Sequence, residues 1–223
     1  MSNVIELENV NKTYKIGSVK VTILKDISLR IDDGEFVAIM GPSGSGKSTL
    51  MNLIGLLDRP TSGRVTLNGK DVSKIKDSNL AKIRGKGIGF VFQSFHLYPT
   101  LSVLQNIQLP MRIHEFEERE ISGKSLKLLN AIGLSHRKDY IPSKLSGGEM
   151  QRVAIARAMS TDPSIILADE PTGNLDSKTG EEIMKLFKNL NSDGKTIILI
   201  THDDYVAKFA GRIIKIRDGR IAG

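Results

Sequence analysis

The amino-acid sequence predicts an α/β fold with a mostly parallel sheet, an antiparallel β segment at the start and an inserted helical subdomain. Short apolar runs such as Phe36–Met40, Ile88–Phe92 and Ile165–Ala168 are typical of strands buried on both faces. Helical patterns alternate with such runs in the last part of the chain, which is typical of parallel sheets. A long helical stretch, from about Val103 to Met159, interrupts this alternation.

Apolar and polar residues alternate in the first forty positions, which predicts strands. The alternating segments are Ile5–Glu8, Val19–Val21 and Ile27–Ile31. Asp32-Asp33-Gly34 is a turn signal, and it predicts a hairpin between the last of these segments and the strand Phe36–Met40. Turn residues also bracket a strand between Gly63 and Asn68, and an apolar helix is expected over Lys47–Leu57.

Helical spacing dominates the middle of the chain, over Glu115–Leu134 and Gly148–Met159, and Asp162-Pro163 ends the second of these patterns. Strands and helices then alternate over Ile165–Ala168, Thr179–Leu190, Thr196–Ile200, Asp204–Phe209 and Arg212–Arg217. We expect one domain, in which residues 1–93 and 163–223 form the core and residues 94–162 form the helical subdomain.

Composition leaves several partners open. The 223 residues include 32 Lys and Arg against 25 Asp and Glu, a net charge of +7, and no Cys, which excludes disulfide scaffolds, thiol catalysis and zinc fingers. The first residues lack the pattern of a signal peptide, and the longest run without charged residues, Gly87–Met111, is too polar for a membrane span. A basic chain of this kind suits nucleic acid, an anionic membrane surface or a phosphorylated ligand.

A glycine-rich segment, Gly41–Ser48, fits the pattern G-x-x-x-x-G-K-[ST] of the P-loop NTPases, between a buried strand and a helix. Its glycines let several backbone N–H groups point into one concavity, at the positive end of a helix. Lys47 offers a cation to the β- and γ-phosphates, and Ser48 offers a hydroxyl to Mg²⁺. The segment predicts a nucleoside triphosphate site, with a glycine-rich turn that binds nothing as the alternative.

Two carboxylates, Asp169 and Glu170, directly follow the apolar run Ile165–Ala168. In P-loop enzymes an Asp at this position lies beside Mg²⁺. Glu170 is the candidate to position or activate the attacking water. The alternative is an Asp-Glu pair that caps the turn before Pro171.

A second anion site is predicted at Leu145-Ser146-Gly147-Gly148-Glu149, where a helix begins. A serine followed by two glycines presents a hydroxyl and backbone N–H groups at the positive end of the helix dipole. The alternative is an ordinary helix N-cap with two turn glycines.

Together, in this order and over the whole chain, these segments resemble the ATP-binding subunit of ABC transporters. Further residues match the family one at a time. Tyr14 matches an aromatic that stacks on adenine, Gln93 the glutamine that reaches Mg²⁺ and water, and His202 the histidine that contacts the γ-phosphate. Asn174-Leu175-Asp176 matches the D-loop, although the family more often has Ala where Asn174 stands.

The resemblance implies ATP and Mg²⁺ as ligands. The implied nucleotide-binding residues are Tyr14, Gly41, Ser43, Gly44, Ser45, Gly46, Lys47, Ser48, Thr49, Ser146, Gly147, Gly148 and Asp176. The implied metal-binding residues are Ser48, Gln93 and Asp169, and those implied for catalysis are Glu170, His202, Lys47 and Gln93.

The resemblance also implies partners. Two copies would dock head to tail, with each ATP between the P-loop of one copy and Ser146–Gly148 of the other. A separate integral membrane permease is implied, with the chain on the cytoplasmic face of the plasma (inner) membrane and only indirect membrane contact. The apolar segment Ser94–Leu109 lies where the family receives its permease, unless it packs on its own helical subdomain. Gly41–Leu50, Gly55–Pro60 and Phe90–Gln93 are similar to the macrolide-exporter and lipoprotein-release branch, which implies export or mechanotransmission.

A soluble ABC-type ATPase that acts on nucleic acid or the ribosome is the alternative. Such proteins carry long coiled-coil arms, zinc modules or a second cassette, and the sequence shows none of these. We therefore expect no direct nucleic-acid partner. A P-loop kinase is a third possibility, but such an enzyme would have no use for the second anion site predicted at Leu145–Glu149.

Overall fold

The computed structural model describes residues 3–222. Its strands are β1 (Asn3–Ile16), β2 (Val19–Asp32), β3 (Phe36–Met40), β4 (Ser62–Leu67), β5 (Lys70–Asp71), β6 (Ile88–Phe92), β7 (Ile165–Asp169), β8 (Thr196–Thr201), β9 (Arg212–Arg217) and β10 (Arg220–Ala222). Its α-helices are α1 (Lys47–Ile54), α2 (Asp77–Gly87), α3 (Val103–Ile113), α4 (Glu118–Ala131), α5 (Gly147–Met159), α6 (Ser177–Ser192) and α7 (Asp204–Ala207). Two compact units result: one holds the residues up to Arg84 together with those from Leu190 onward, and the other is Gly85–Asn189.

The first unit begins with an antiparallel sheet in the order β2-β1-β4-β5. β1 and β2 form a long hairpin whose turn contains Gly17 in a left-handed conformation, with φ 63°. The two predicted strands within Val19–Asp32 are one strand, in which Asp26 has φ 53° and the pairing with β1 is irregular. The antiparallel start is therefore confirmed, with a longer second strand than the pattern indicated.

The predicted hairpin at Asp32-Asp33-Gly34 is wrong. The turn itself exists, because the Glu35 N–H donates to the Asp32 carbonyl at 3.2 Å. However, β2 pairs with β1, whereas β3 pairs in parallel with β8 and β9. All five residues of β3 are buried, so this strand needs a partner on each edge, and both partners come from much later in the chain.

These strands form the core of the first unit, in the order β10-β9-β3-β8, in which β9, β3 and β8 are parallel and β10 is antiparallel to β9. Every residue of β3 and β8 is buried. Each large apolar side chain among them contributes about 1.5–3 kcal/mol on burial, as an upper estimate. The register places Met40 opposite Thr201, so that the loops after β3 and β8 begin side by side.

The second unit combines the parallel pair β6 and β7, in which Phe92 lies opposite Asp169, with α3, α4 and α5. α3 begins at a reciprocal cap, in which the Ser102 side chain accepts from the Gln105 N–H and the Gln105 side chain accepts from the Ser102 N–H. The helices share a buried apolar cluster of Val103, Ile107, Leu129, Ile132, Leu134, Val153 and Ala156. The helical stretch is therefore confirmed, and so is the α/β class with parallel pairing. The division at residues 94–162 stays a prediction.

The sequence pattern missed α2, which lies in a lysine-rich segment. Leu80 is the only residue of α2 that is fully buried, so its apolar periodicity is weak. Within residues 3–222, none of the helices has both the length and the apolar character needed to cross a bilayer.

Candidate functional site

A tight loop between β3 and α1 forms the first part of the site. Its backbone is left-handed at Gly44, with φ 76°, and at Gly46, with φ 106°, and side chains rarely adopt this conformation. A side chain at Gly41 would collide with the backbone carbonyl oxygen of Ile216 in β9. The glycines therefore let the loop curl closely against β9, next to the N-terminus of α1.

The Lys47 side chain lies over this loop. Its Nζ donates to the carbonyl oxygens of Gly41, at 2.7 Å, and Pro42, at 2.9 Å. The Ser45 hydroxyl is buried, and within residues 3–222 its Oγ has no hydrogen-bond partner. A buried hydroxyl without a partner is costly, and a phosphate oxygen would satisfy it. Since the loop contains no carboxylate, its donors fit a polyphosphate.

His202 lies at the neighbouring strand end. Because Met40 pairs with Thr201, His202 directly follows β8 at the same edge at which Gly41 follows β3. Thr201 is buried and His202 is exposed. The next residue, Asp203, caps α7 by accepting the Tyr205 N–H at 2.7 Å. His202 is therefore held between a buried strand and a capped helix.

Tyr14 is fixed by a carboxylate. Its hydroxyl donates to Asp58 Oδ2 at 2.7 Å, and the Lys12 ammonium donates to Asp58 Oδ1 at 2.6 Å and lies 4.7 Å from the ring centroid. Burial and the bond to Asp58 raise the pKa of Tyr14, while the Thr49 side chain in α1 acts in the opposite direction. Burial acts to raise the pKa of Asp58, but its bonds from Lys12 and Tyr14 outweigh this and lower it. The ring is thus placed near the phosphate loop's helix.

The two acidic residues lie at the end of β7 in the second unit: Asp169 is its last residue, and Glu170 follows it. Because Phe92 pairs with Asp169, Glu170 and Gln93 occupy adjoining strand ends. Glu170 has φ 45°, which is rare for a residue with a side chain. Strained backbone of this kind is concentrated at functional sites. Its carbonyl oxygen accepts the Gly173 N–H at 3.0 Å, which closes the turn.

Gln93 is tied to Asn174 by two hydrogen bonds. The Asn174 Nδ2 donates to the Gln93 backbone carbonyl at 3.0 Å, and the Gln93 Nε2 donates to Asn174 Oδ1 at 3.2 Å. Asn174 therefore holds the predicted metal-binding glutamine on both its backbone and its side chain.

Ser146 begins α5 with a reciprocal cap. Its hydroxyl oxygen accepts the Glu149 N–H at 3.2 Å, and Glu149 Oε2 accepts the Ser146 N–H at 2.8 Å. This backbone bond lowers the pKa of Glu149, with a further contribution from Arg137 and opposition from burial. The predicted helix start is confirmed. The cap uses the Glu149 N–H, so an anion would contact the Ser146 hydroxyl and the Gly147 and Gly148 N–H groups.

Gly148 lies against the start of α6. A side chain there would collide with the methyl group of Thr179. The Thr179 N–H and hydroxyl both donate to the Asp176 carboxylate, at 3.0 and 2.6 Å, and these bonds lower the pKa of Asp176, the hydroxyl bond most. Asp176 therefore caps α6 and is linked through Thr179 to the second glycine of the anion site.

The loop after Gln93 is held by a single cation that sequence reasoning missed. Phe95 and His96 have φ 58° and 49°, two consecutive left-handed residues. The Arg157 guanidinium, from α5, donates to the Phe95 carbonyl at 2.9 Å and to the His96 carbonyl. Burial lowers the pKa of Arg157. The signal available in the sequence was its place on the face of α5 that carries Val153 and Ala154.

Beside this loop runs a mostly apolar groove of about 330 Å³, which we call the α3 groove. Tyr98 is 53% exposed and Ile113 is 65% exposed, so the groove presents large apolar groups to solvent. It is lined by Gly85, Ile88, Gly89, Phe90, Phe92, His96, Tyr98, Leu109, Pro110, Ile113, His114, Arg157, Ala158 and Thr161. Phe95, by contrast, has its ring near Gly147.

Each unit thus assembles part of the predicted site. The first unit holds Tyr14, Gly41, Ser43, Gly44, Ser45, Gly46, Lys47, Ser48, Thr49 and His202. The second unit holds Gln93, Ser146, Gly147, Gly148, Asp169, Glu170 and Asp176.

A family model described as ABC transporter matches residues 24–173 of this chain. The chain belongs to the ABC transporter family. The matched residues include the phosphate loop, the start of α5 and the two carboxylates after β7. As a member of this family, the chain is an ATP-binding subunit and an ATPase.

Several known proteins are similar to it. The uncharacterized ABC transporter ATP-binding protein YvrO of Bacillus subtilis is 56% identical over 217 residues, which is 97% of this chain and 95% of that protein. The macrolide export ATP-binding/permease protein MacB of Chlorobaculum tepidum is 52% identical over 96% of this chain, which spans 33% of MacB. The solved dimeric, post-hydrolysis structure of the ATP-binding cassette MJ0796, from Methanocaldococcus jannaschii, bound to ADP and Pi, has a TM-score of 0.88 and 48% identity, and the match covers 98% of this chain and 97% of that one. The MacB match confirms the predicted similarity to the macrolide-exporter branch.

The glycine at position 41 provides a test of the ABC phosphate loop. We expect Gly41→Ala to lower the free energy of unfolding by about 1–3 kcal/mol, because the new methyl group meets the Ile216 carbonyl, which a β-strand cannot easily move. ATP binding should weaken more than tenfold, measured with a fluorescent nucleotide. Gly123→Ala in α4 is the control, because its methyl group meets open space and should stabilise the helix by up to about 1 kcal/mol. Equal stability of the two variants would contradict the argument.

The cap of α5 predicts a pH dependence. Because the folded pKa of Glu149 is lowered, its carboxylate contributes stability above the ordinary Glu pKa and loses it as the pH falls through the folded value. Glu149→Gln keeps the cap and removes the charge. We expect this variant to be less stable by roughly 0.5–1 kcal/mol at pH 7, and the difference to disappear as the pH falls through the lowered folded pKa of Glu149, in urea titrations. A difference that persists at low pH would contradict this assignment.

Proposed function

We propose that this chain is the motor subunit of an ABC transporter, in which ATP closes a head-to-tail dimer and hydrolysis reopens it to drive a separate membrane permease. The observation that carries the proposal is the position of Glu170. It follows Asp169 at the end of β7 and adjoins Gln93 at the end of β6. A carboxylate next to a metal-binding pair of oxygen donors is the arrangement that activates water in phosphoryl transfer.

The phosphate loop holds the triphosphate. The backbone N–H groups of Gly41–Ser48 bind the β- and γ-phosphates, and the Lys47 ammonium leaves the loop carbonyls to pair with them. The Ser43, Ser45 and Thr49 hydroxyls add donors. Tyr14, held by Asp58, offers its ring to the adenine.

The proposed Mg²⁺ ligands are oxygen atoms of three kinds. They are the Ser48 hydroxyl, the Gln93 carboxamide and the Asp169 carboxylate, which are the hard donors this ion prefers. When bound, the ion neutralises charge on the phosphates.

Hydrolysis then needs a base and cations. Glu170 orients a water and takes its proton as the water oxygen attacks the γ-phosphorus, and the bond from that phosphorus to the β-phosphate oxygen breaks. Lys47 and His202 stabilise the negative charge on the transferred group. The left-handed backbone at Glu170 sets the direction in which its carboxylate leaves the strand.

A second copy completes the site in this proposal. The Ser146 hydroxyl and the Gly147 and Gly148 N–H groups of one copy bind the γ-phosphate held by the other, and Asp176 lies at the same interface. The dimeric MJ0796 structure, with ADP and Pi, supports this arrangement. Because the bridging phosphate is bound from both sides, ATP and dimerisation must strengthen each other equally.

The permease is the proposed partner of the α3 groove. MacB carries ATP-binding and permease functions in its name, and this chain spans one third of it. Exposed Tyr98 and Ile113 offer an apolar surface for a helix of the partner. The Arg157 bonds connect the groove to α5, so a movement of the partner reaches the anion site. We propose export or mechanotransmission, at the cytoplasmic face of the inner membrane.

Glu170 is the residue to test. We expect Glu170→Gln to bind ATP normally but to lower turnover by about 10²–10⁴-fold, because the carboxamide cannot take a proton. An ATP-bound dimer should accumulate on a sizing column in the presence of Mg²⁺. Glu181→Gln, on the exposed side of α6, is the control and should hydrolyse ATP at the wild-type rate. Near-normal turnover in the Glu170 variant would refute its role.

A pair of groove variants tests the partner. We expect Tyr98→Ala with Ile113→Ser to lower the recovery of an integral membrane protein with the tagged chain, from detergent-solubilised membranes, by about tenfold, since large apolar contacts dominate such interfaces. Leu126→Ala is the control, because Leu126 is 48% exposed on α4 and does not line the groove. Basal ATPase activity should be unchanged in both proteins. Equal recovery from both would place the permease elsewhere.

A further inference from the structure

The contact between Gln93 and Asn174 is reciprocal. Asn174 Nδ2 donates to the Gln93 backbone carbonyl at 3.0 Å, while Gln93 Nε2 donates to Asn174 Oδ1 at 3.2 Å. In each bond an amide nitrogen faces an oxygen, so the two carboxamide orientations require each other. Both residues are otherwise exposed, and these bonds set the direction of a side chain that solvent alone would leave mobile.

The loops that carry these two residues are also joined by a side chain from α5. The fully buried Gln151, on α5, donates through Nε2 to the Pro171 carbonyl at 2.7 Å and, at 3.5 Å, to the Phe92 carbonyl. The Gln151 side chain therefore bonds to the backbone of both loops: immediately before Gln93 in one, and shortly before Asn174 in the other. The backbone positions of the two loops are fixed without Asn174.

Glycine at position 173 lets the glutamine side chain lie flat against the turn. A β-carbon there would come within 2.6 Å of Gln93 Nε2 and 3.0 Å of its Cδ. The carboxamide is therefore confined between Gly173 and Asn174. Since Gln151 already holds the backbone, the specific effect of Asn174 is on the Gln93 side chain.

The bond also decides which atom of Gln93 is presented. Its Nε2 is directed to Asn174, so its Oε1, on the other branch of the carboxamide, is directed elsewhere. Mg²⁺ and the hydrogen atoms of water both require the oxygen, and a flipped carboxamide would offer them an N–H donor instead. Alanine at position 174 could make neither bond.

We propose that Asn174 is a positioning residue that holds the Gln93 carboxamide in the one orientation that presents its oxygen to the metal and the attacking water. The inference rests on the proposed role of Gln93 in ATP hydrolysis. In this proposal the hydrogen-bond partner of Asn174 is Gln93, not the nucleotide or the metal. It acts through the glutamine, so its effect must disappear when the glutamine is absent.

A double-mutant cycle tests this dependence. We expect Asn174→Ala to lower kcat by about three- to tenfold, and to raise the Mg²⁺ concentration for half-maximal ATPase activity by a similar factor. Gln93→Ala should have larger effects in the same directions. Adding Asn174→Ala to Gln93→Ala should change either quantity less than about twofold.

A control variant makes the test specific. Asn189→Ala removes an exposed carboxamide on α6, away from the turn that carries Asn174, and should match the wild type in all measurements. Thermal unfolding should be close to wild type in every variant, because Gln151 still joins the loops.

The outcomes distinguish a failure of the proposed role of Gln93 from a failure of the positioning role of Asn174. If Gln93→Ala changes neither kcat nor the Mg²⁺ requirement, the proposed role of Gln93 is refuted, and the positioning role with it. If Gln93→Ala is impaired but Asn174→Ala matches Asn189→Ala, only the positioning role is overturned. It is also overturned if the two single effects multiply in the double variant.

Discussion

Complete burial of the parallel strands is the constraint on which the rest of the structure depends. Because every residue of β3 and β8 is buried, no polar group of the site lies within these strands until they end. The pairing of Met40 with Thr201 then decides that the phosphate loop at Gly41 and the histidine at position 202 emerge side by side. The pair β6 and β7 repeats the arrangement in the second unit. The burial that packs the apolar core therefore also determines where the polar residues of the site can lie.

Beyond the strand ends, long side chains fix the loops by hydrogen bonds to backbone carbonyls that are not paired within a sheet or a helix. Both Gln151 and Arg157 extend from α5. Arg157 donates to loop carbonyls after β6, and Gln151 donates to the last carbonyl of β6 and to a carbonyl in the loop after β7. A buried loop carbonyl without a donor would be costly, so these bonds are a condition for the loops' conformations. The same helix begins with the Ser146 cap. The anion-binding end of α5 and the loops that carry Gln93 and Glu170 are therefore connected through one rigid element.

Some of the basic residues serve the chain's own backbone. Two arginines donate to backbone carbonyls of the chain itself: Arg84 to Leu56, and Arg157 to Phe95. These residues add to the net charge of +7 without requiring an external anion. Phosphate recognition itself depends mainly on backbone N–H groups and a single lysine. Net charge was accordingly a poor guide to the partner, whereas the spacing of glycines was a good one.

Local pattern was sufficient for the buried strands, the phosphate loop and the start of α5, because each depends on residues close in sequence: apolar runs, glycines at left-handed positions and a serine cap. It failed where the partner is distant. The turn at Asp32–Gly34 predicted a hairpin. Instead, β3 pairs with β8 and β9, which lie more than 150 residues later in the chain and cover both of its edges. In the same way, the sequence by itself determined that Gln93 and Asn174 are present and chemically capable. Only the tertiary structure, by bringing two loops together over Gln151, decided that one would orient the other.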